Sequence, residues 1–340
     1  MKDLKVRAVS WRTVGAALGL ALVCAAAQPA AAQKRIKIGS PTINDSIHFF
    51  MKQFKSKIEA KGDKFKVALY PASQLGAIPR MIEGVQLGTI EMAAIPPAFL
   101  NGLDKRFGVL DAPNLLTGIE QGSKALNDPE FKKVFWGIGE PKGIKILAIA
   151  CEIASDYATK KPIKTLADFK GLKIRIFGSP MERAVMDTLG ATGVPMPLSE
   201  VLPALQRGVI DGNKAAITIF VAFKYYNVAK HIFRPKESMI CPLKLASKRW
   251  FDALSKDEQQ LVQDVATEAN AATVKFSVGF AEKAYGIWKK NGGTITELSP
   301  EKQAEFRKML APIGEKVVAG DPAMKEVYDA LKAASERSRN

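Results

Sequence analysis

The sequence is poor in the residues on which most enzymes and metal sites depend. Its 340 residues include three cysteines and two histidines. His48, His231 and the cysteines fall in no CxxC or HxxxH spacing, which excludes the common zinc motifs. No GxSxG or GxxxxGK(S/T) pattern occurs either, so neither a nucleophile elbow nor a phosphate-binding loop is supported. The sequence therefore predicts a protein that is not an enzyme and holds no cofactor and no metal ion.

A concentrated basic surface is also missing, although the formal net charge is +16. Lysines and acids are mixed along helical segments such as residues 124–133, and no basic cluster is interleaved with aromatic residues. This pattern excludes nucleic acid as a partner. The positive charge, about +13 once the first 32 residues are removed, would instead attract small anions toward a cleft.

Long apolar runs are confined to the N-terminus. Basic residues at positions 2–12 precede an almost uncharged stretch, residues 14–27, and the small residues Ala30 to Ala32. Because the stretch is shorter than the roughly 20 residues that span a bilayer, it predicts a secretory signal peptide, residues 1–32, that carries Cys24 away when it is cleaved. No later run is long enough to cross a membrane. We therefore expect an exported protein without stable membrane insertion.

Strand-like and helix-like segments alternate through the rest of the chain. Strands near residues 35–39, 66–70 and 89–95 are separated by helical patterns at 46–61 and 81–87. This alternation predicts an α/β fold with a largely parallel sheet. Ligands of such sheets lie beyond the carboxyl ends of the strands. That rule points to the following segments: Ser40 to Pro41, Gly76 to Ile78, and Ile95 to Pro97.

A single long helix is predicted near the C-terminal third. Ser255 and Glu258 form a capping box, an apolar stripe follows with helical spacing, and Asn291 ends it. At 1.5 Å per residue the helix would extend about 50 Å, more than the width of one small domain. It should therefore run along two domains. We assign residues 33–153 and about 242–283 to domain I, and residues 154–241 and about 284–340 to domain II.

Two cysteines, Cys151 and Cys241, remain after signal cleavage. In an oxidising compartment they could form a disulfide, or they could be two separate buried thiols. The sequence leaves both alternatives open.

Arg175 is the most informative polar residue. It lies near the end of a strand-like run, residues 171–177, and Gly178 and Pro180 follow it in a turn. An arginine at such a position can present a planar fork of donors to a carboxylate. The alternative is an ordinary surface arginine.

The segments around Arg175 resemble the solute-binding proteins of tripartite ATP-independent periplasmic (TRAP) transporters, the DctP-type family. The resemblance covers the mature chain in order and rests on YPASQLG at 70–76, GTIEM at 88–92, PIKT at 162–165, GLKIR at 171–175 and ALQRGVIDG at 204–212. It implies a two-domain, periplasmic binding protein-like α/β fold with a ligand cleft between the domains and a long helix bridging both. It also implies that Arg175 binds the carboxylate of the ligand. A periplasmic monomer would then deliver that ligand to the membrane subunits of an ion-gradient-driven permease.

Several positions depart from the family pattern. Ser155 stands where many relatives carry a second pocket arginine, and Ala215 stands where many carry an asparagine that contacts the ligand. Leu198 takes a position that is often aromatic. The predicted substrate-binding residues are Arg175, Ser155, Phe177, Leu198, Ala215, Pro96, Asn213, Pro41 and Ile78.

Most of these residues are apolar, which bears on the ligand. Each sugar hydroxyl left unpaired against such walls would cost on the order of 1 to 3 kcal/mol. An organic acid with a largely hydrophobic body is therefore favoured. Alternatively, a loop insertion shifts the alignment and Asn213, Arg80 or Asp156 supplies the polarity.

Three other functions remain open from the sequence. The chain could be the receptor of an ATP-driven importer, a ligand-sensing module that docks on a sensor kinase, or a secreted enzyme acting on a small anion. The enzyme would need a carboxylate pair, such as Asp156 and Asp211, converging in the cleft.

Overall fold

The computed structural model describes residues 33–339. The predicted signal peptide lies outside these residues. The strands are β1 Lys34–Gly39, β2 Phe65–Tyr70, β3 Met92–Ile95, β4 Ile144–Ile149, β5 Ile153–Ala154, β6 Asp156–Thr159, β7 Lys173–Ile176, β8 Thr192–Pro195, β9 Gly212–Ala215, β10 His231–Arg234, β11 Met239–Ile240, β12 Leu243–Ser247 and β13 Thr294–Glu297.

Helices follow most of these strands. They are α1 Ser46–Glu59, α2 Ile78–Leu87, α3 Ile119–Leu126, α4 Pro129–Phe135, α5 Pro180–Thr188, α6 Leu198–Arg207, α7 Ile217–Ala222, α8 Lys248–Asp252, α9 Lys256–Lys290, α10 Pro300–Leu310, α11 Ile313–Val318 and α12 Pro322–Arg337. Short 3₁₀ helices cover Pro97–Leu100, Lys105–Asp111, Glu140–Lys142, Leu166–Phe169 and Tyr225–Asn227.

The strands form two large sheets, each at the centre of one lobe. The first sheet has the order β2-β1-β3-β12-β4, and the second has the order β13-β10-β6-β9-β7-β8. β1 pairs in parallel with β2 and β3, and β7 pairs in parallel with β8 and β9. The α/β class with largely parallel sheets, predicted from the sequence, is confirmed.

One strand in each sheet runs against the others. β12 is antiparallel to β3 and β4, and β6 is antiparallel to β9 and β10. Both strands begin just after the chain has crossed from the other lobe. A strand that enters a lobe from the cleft must run away from the cleft, whereas the remaining strands of that sheet end there. The carboxyl ends of both sheets therefore face the space between the lobes.

Three connections join the lobes. β5 and β11 pair with each other as a two-stranded antiparallel ribbon. Cys151 and Cys241, one beside each of these strands, form a disulfide and are both buried. The structure thus selects the disulfide from the two alternatives that the sequence left open. The third connection is α9.

The long helix α9 extends over 35 residues and has the bounds that the sequence predicted. Ser255 and Glu258 form the predicted capping box at its start. In its first half, residues such as Val265 join the core of the first lobe, while Trp288 near its end joins the core of the second. Because one continuous helix packs on both cores, the lobes share a spine.

The C-terminal helices connect the lobes in a further way. α12 packs against α3, α4 and the 3₁₀ helix Lys105–Asp111, whereas α11 packs against α5 of the second lobe. The strands of the first sheet come from residues 34–149 and 243–247, and those of the second from 156–234 and 294–297. The domain boundaries given above stay a prediction. No helix within residues 33–339 is long and apolar enough to cross a bilayer.

The disulfide is expected to stabilise the fold because it closes a long loop, since its cysteines are 90 positions apart in the sequence. Replacing both cysteines by alanine should lower the free energy of unfolding by about 2–4 kcal/mol. Urea denaturation of the wild type and of the Cys151→Ala/Cys241→Ala variant measures the difference. A reducing agent should destabilise the wild type alone. Equal stabilities under oxidising conditions would contradict the expectation.

Candidate ligand-binding cleft

A cavity lies between the lobes at the carboxyl ends of both sheets. It contains about 490 Å³ of space that no protein atom fills, part of it open to solvent. Thirteen of its nineteen lining residues are apolar. The lining residues are Pro41, Thr42, Asp45, Ser46, Ile47, Ile78, Pro96, Phe99, Glu152, Ile153, Arg175, Phe177, Leu198, Ala215, Ala216, Thr218, Ile219, Ile240 and Pro242.

Local sequence explains how Arg175 reaches this cavity. It lies in β7, between β8 and β9, and its side chain is 1% exposed. Gly178, with φ of +111°, then turns the chain, and the side chain of Ser179 caps α5. A residue with a Cβ would be strained at that φ, so glycine permits the turn directly after the strand. The alternative that Arg175 is an ordinary surface arginine is wrong.

Three hydrogen bonds fix the Arg175 guanidinium. Nε donates to the Met196 carbonyl at 2.9 Å, and Nη1 donates to Asn213 Oδ1 and to the Lys214 carbonyl, each at 3.3 Å. All three acceptors are neutral. Within residues 33–339, Nη2 has no hydrogen-bond acceptor and the guanidinium forms no ion pair. Two donors of a fixed planar fork are therefore left for a ligand.

Burial lowers the pKa of Arg175 to about 10. The side chain is still charged at neutral pH, and its charge lies in surroundings that favour a strong interaction with an anion. The Phe177 and Phe99 rings flank it, with centroids 4.7 and 5.8 Å from the guanidinium carbon. Phe99 belongs to the first lobe and Phe177 to the second, and their rings are 5.5 Å apart. The lobes thus meet at the arginine.

Buried donors without partners lie close to Arg175. Asn213 Nδ2 and the Tyr225 hydroxyl have no hydrogen-bond partner among the described residues. Burial raises the pKa of Tyr225 to about 12, and the nearby Arg175 charge opposes that increase. A buried donor without a partner costs free energy, so groups of this kind are commonly satisfied by a bound molecule or by water.

A buried ionic network lies directly behind Arg175. Lys214 Nζ is 3.2 Å from Glu237 Oε1 and 3.6 Å from Glu182 Oε1, and the Tyr157 hydroxyl donates to Glu237 Oε1 at 2.7 Å. Burial and the nearby Glu182 carboxylate raise the pKa of Asp111 to about 8. The Lys214 side chain is held by this network while its carbonyl accepts from Arg175.

The first lobe supplies acidic groups to the same cavity. Asp45 caps α1, since its Oδ1 accepts from the His48 amide at 3.0 Å. Burial raises the pKa of Asp45 to about 6, and the nearby Glu152 charge adds to that increase. Glu152 itself is neutralised, because Lys244 Nζ lies 2.6 Å from its Oε1 and Ser46 donates to its other oxygen.

Seven of the nine predicted substrate-binding residues line the cavity. They are Arg175, Phe177, Leu198, Ala215, Pro96, Pro41 and Ile78. Asn213 lies behind them, bonded to Arg175. Ser155 is not among the lining residues. Its amide donates to the Ser238 carbonyl at 3.0 Å, and the two serine hydroxyls are 2.7 Å apart, so it joins the crossing segments.

The alternative sources of polarity lie elsewhere. Arg80 is exposed and pairs with Glu83. Asp156 does not line the cavity, and the hydroxyl of Tyr285 donates to it. Of the three alternatives, only Asn213 comes close to the cavity.

Sequence reasoning missed several lining residues, above all Phe99, Asp45, Thr42 and Glu152. Thr42 and Asp45 lie in the loop after β1, and Phe99 lies in the 3₁₀ helix after β3. The rule about carboxyl ends of strands would have found all three had it been applied to the whole of each connection. Glu152 lies where the chain crosses between lobes. Since both crossings pass through the cleft, crossing residues are also candidates for ligand contact.

The enzyme alternative needed Asp156 and Asp211 to converge. Asp156 faces Ala215 at one end of the β6–β9 pair, whereas Asp211 precedes Gly212, which faces Thr159 at the other end. The two carboxylates are therefore separated by the length of the strands. Within residues 33–339, no group of three or more His, Cys, Asp or Glu side chains is arranged to hold a metal ion.

Two α/β lobes that are joined by several crossings and enclose a buried, unpaired cation define a two-lobed solute-binding protein. Residues 40–321 match the family model described as bacterial extracellular solute-binding protein, family 7. The chain belongs to this family, the DctP family of TRAP solute-binding proteins.

Relatives resemble most of the chain in sequence, and solved structures resemble most of it in fold. The 2,3-diketo-L-gulonate-binding periplasmic protein YiaO of Escherichia coli is 32% identical over 84% of this chain and 88% of its own length. The sugar acid binding protein DctPAm of Advenella mimigardefordensis, solved with galactonate, has a TM-score of 0.85 at 25% identity and covers 90% of this chain and 99% of its own. A TRAP periplasmic solute binding protein of Desulfovibrio salexigens, solved with bound orotic acid, has a TM-score of 0.84 at 24% identity. The match covers 90% of this chain and 100% of that protein.

The raised pKa of Asp111 predicts a pH-dependent stability. Because the folded state holds this proton up to about pH 8, stability from the protonated carboxyl is fully present below the unfolded pKa and is lost as pH rises through 8. Asp111→Asn mimics the neutral form. The wild type should lose stability as pH rises from about 5 to 8, whereas the variant should not. The free energy of unfolding of the variant minus that of the wild type should therefore increase by up to about 1.4 kcal/mol per pH unit.

Asp128→Asn is the matched control for this measurement. Hydrogen bonds from Arg337 lower the pKa of Asp128 to about 2, so it is ionised throughout that range. The difference between this variant and the wild type should not change from pH 5 to 8. If urea titrations show that the difference in free energy of unfolding between Asp111→Asn and the wild type is also constant over this range, Asp111 does not hold a proton in the folded state.

Proposed function

We propose that this protein captures an organic acid with a largely hydrophobic body in the periplasm and delivers it to an ion-gradient-driven TRAP permease. The observation that carries the proposal is the state of Arg175. It is a buried cation whose hydrogen bonds all go to neutral acceptors and whose Nη2 has no acceptor among the described residues. A ligand carboxylate supplies both the missing negative charge and the missing acceptor.

The apolar lining supports a hydrophobic ligand body. Pro41, Ile78, Pro96, Leu198 and Ala215 all lie on the cavity wall. None of these side chains can pair with a hydroxyl, and each unpaired hydroxyl costs about 1–3 kcal/mol. The Desulfovibrio salexigens protein was solved with bound orotic acid, whereas the names of YiaO and DctPAm refer to sugar acids. The apolar side chains of this cavity disfavour a ligand with many hydroxyl groups.

Location and partner rest on the family and on the N-terminus. The names of YiaO and of the Desulfovibrio salexigens protein describe them as periplasmic. The signal peptide pattern of residues 1–32 agrees with export. In this proposal the protein is a monomer that closes its two lobes over the ligand and presents the closed form to the membrane subunits of the permease.

Removing the arginine charge tests the carboxylate anchor. Arg175→Gln should weaken binding of the cognate acid by about 2–5 kcal/mol, because the carboxylate would be buried without its partner. Isothermal titration calorimetry measures the change. Arg80→Gln, an exposed arginine of the first lobe, is the control and should bind as the wild type does. Unchanged affinity of Arg175→Gln would reject Arg175 as the anchor.

A ligand screen tests the class of acid. Thermal shift assays should compare aliphatic and aromatic monocarboxylates with hexuronates and aldonates of similar size. A ligand at 100 times its dissociation constant adds about 2.7 kcal/mol to the free energy of unfolding, which is readily detected. Apolar acids should raise the melting temperature more than sugar acids do. A screen in which only sugar acids bind would overturn the proposed ligand class but leave the transport role in place.

A further inference from the structure

A second buried charge without a partner faces the cavity, and it comes from the other lobe. The Asp45 side chain lines the cavity and its residue is 4% exposed. The His48 amide donates to Oδ1 at 3.0 Å. No Lys or Arg side chain of the described residues forms an ion pair with the carboxylate. Asp45 is thus the counterpart of Arg175 with the opposite sign.

The neighbouring carboxylate shows what a satisfied acid looks like at this site. Glu152 also lines the cavity, but Lys244 and Ser46 occupy its two oxygens. Its charge is therefore compensated within the protein, and each of its oxygens already accepts a hydrogen bond. Asp45 lines the same cavity but has no compensating charge among the described residues.

The capping role of Asp45 does not explain its charge. Asparagine and serine cap helices about as well as aspartate. The α1 dipole favours an anion at this position, yet burial raises the pKa of Asp45 to about 6. The cost of burying the charge is thus larger than the stabilisation that the helix provides.

A second observation points to the same place. Thr42 also lines the cavity and is 5% exposed, and its hydroxyl has no hydrogen-bond partner among the described residues. Its hydroxyl interacts with the Asp45 carboxylate and lowers the pKa of that group, although the two do not reach the geometry of a full hydrogen bond. A carboxylate oxygen and a hydroxyl oxygen, both buried and both free to accept, form a site for a donor with more than one N–H.

We propose that the ligand carries a cationic nitrogen in addition to its carboxylate, and that Asp45 and Thr42 bind this nitrogen from the first lobe. This inference rests on the proposed function and narrows it from organic acids to zwitterions with an apolar body. Arg175 binds the carboxylate from the second lobe. Each charge of the ligand compensates one buried charge of the cleft, and both lobes must close to make the two contacts.

The test uses sets of three probes that share one apolar body. One set is 6-aminohexanoate, hexanoate and hexylamine, and a second is 4-(aminomethyl)benzoate, 4-methylbenzoate and 4-methylbenzylamine. Calorimetry on the full mature chain should show that the zwitterion of at least one set binds more tightly than its matched acid, by about tenfold or more, since a hydrogen bond to a charged group has about that value.

Asp45→Asn tests the residue, because asparagine keeps the cap of α1 and removes only the charge. This variant should reduce the affinity for the zwitterion, relative to the affinity for the matched acid, about tenfold or more. Asp321→Asn is the control. Asp321 caps α12 in the same way, by accepting from the Met324 amide, but does not line the cavity. It should bind both probes as the wild type does.

The outcomes separate this inference from the function on which it rests. If matched acids bind as tightly as zwitterions, or if Asp45→Asn weakens both equally, the cation site is wrong. The transport of apolar acids then stands, provided that Arg175→Gln weakens both probes. If the amines bind without a carboxylate and Arg175→Gln has no effect, the proposed function is wrong as well. Failure of every probe in both sets counts against both proposals.

Discussion

The structure depends on keeping the charge of Arg175 buried without neutralising it. Three neutral acceptors orient the guanidinium, and the Phe99 and Phe177 rings cover its faces. The negative charges nearest to it, Glu182 and Glu237, both pair with Lys214. The negative charge of Glu182 favours the charged form of Arg175, although the two side chains do not form an ion pair. The arrangement therefore holds a cation in place and reserves its free donors.

The topology determines which lobe supplies each contact. Parallel strands of both sheets end at the cleft, so their following loops line it, and β6 and β12 run the other way because they start from it. Arg175 comes from the second lobe, whereas Asp45 and Phe99 come from the first. A ligand that touches these groups joins the lobes, and the disulfide-linked crossings and α9 limit how the lobes can move relative to one another.

Much of this architecture could be predicted from the sequence because its signals are local. The capping box at Ser255 and the apolar stripe after it predicted all of α9, and the strand and turn around Arg175 predicted a residue aimed at a cleft. What could not be predicted depends on residues far apart in the chain. The pairing of Glu152 with Lys244 joins residues 92 positions apart, and neither position carries a local pattern. Without knowledge of that pair, nothing distinguishes a compensated Glu152 from an uncompensated Asp45. Ser155 is a case in which the prediction failed. Its position in the family pattern predicted a pocket residue, but in the structure its hydroxyl and its amide form hydrogen bonds with Ser238.

Unmatched charges on facing walls also bear on how a binding protein distinguishes an empty cleft from a loaded one. When the lobes are apart, water solvates Arg175 and Asp45. Closing the lobes without a ligand removes that water and leaves two charges buried without partners, which is unfavourable. A ligand with matching charges removes this cost, so its affinity for the closed state exceeds its affinity for the open state. Only such a difference in affinity can shift the population toward closure. The apolar walls strengthen the effect because they offer the buried charges no alternative partner. On this argument, the groups that determine specificity also drive closure.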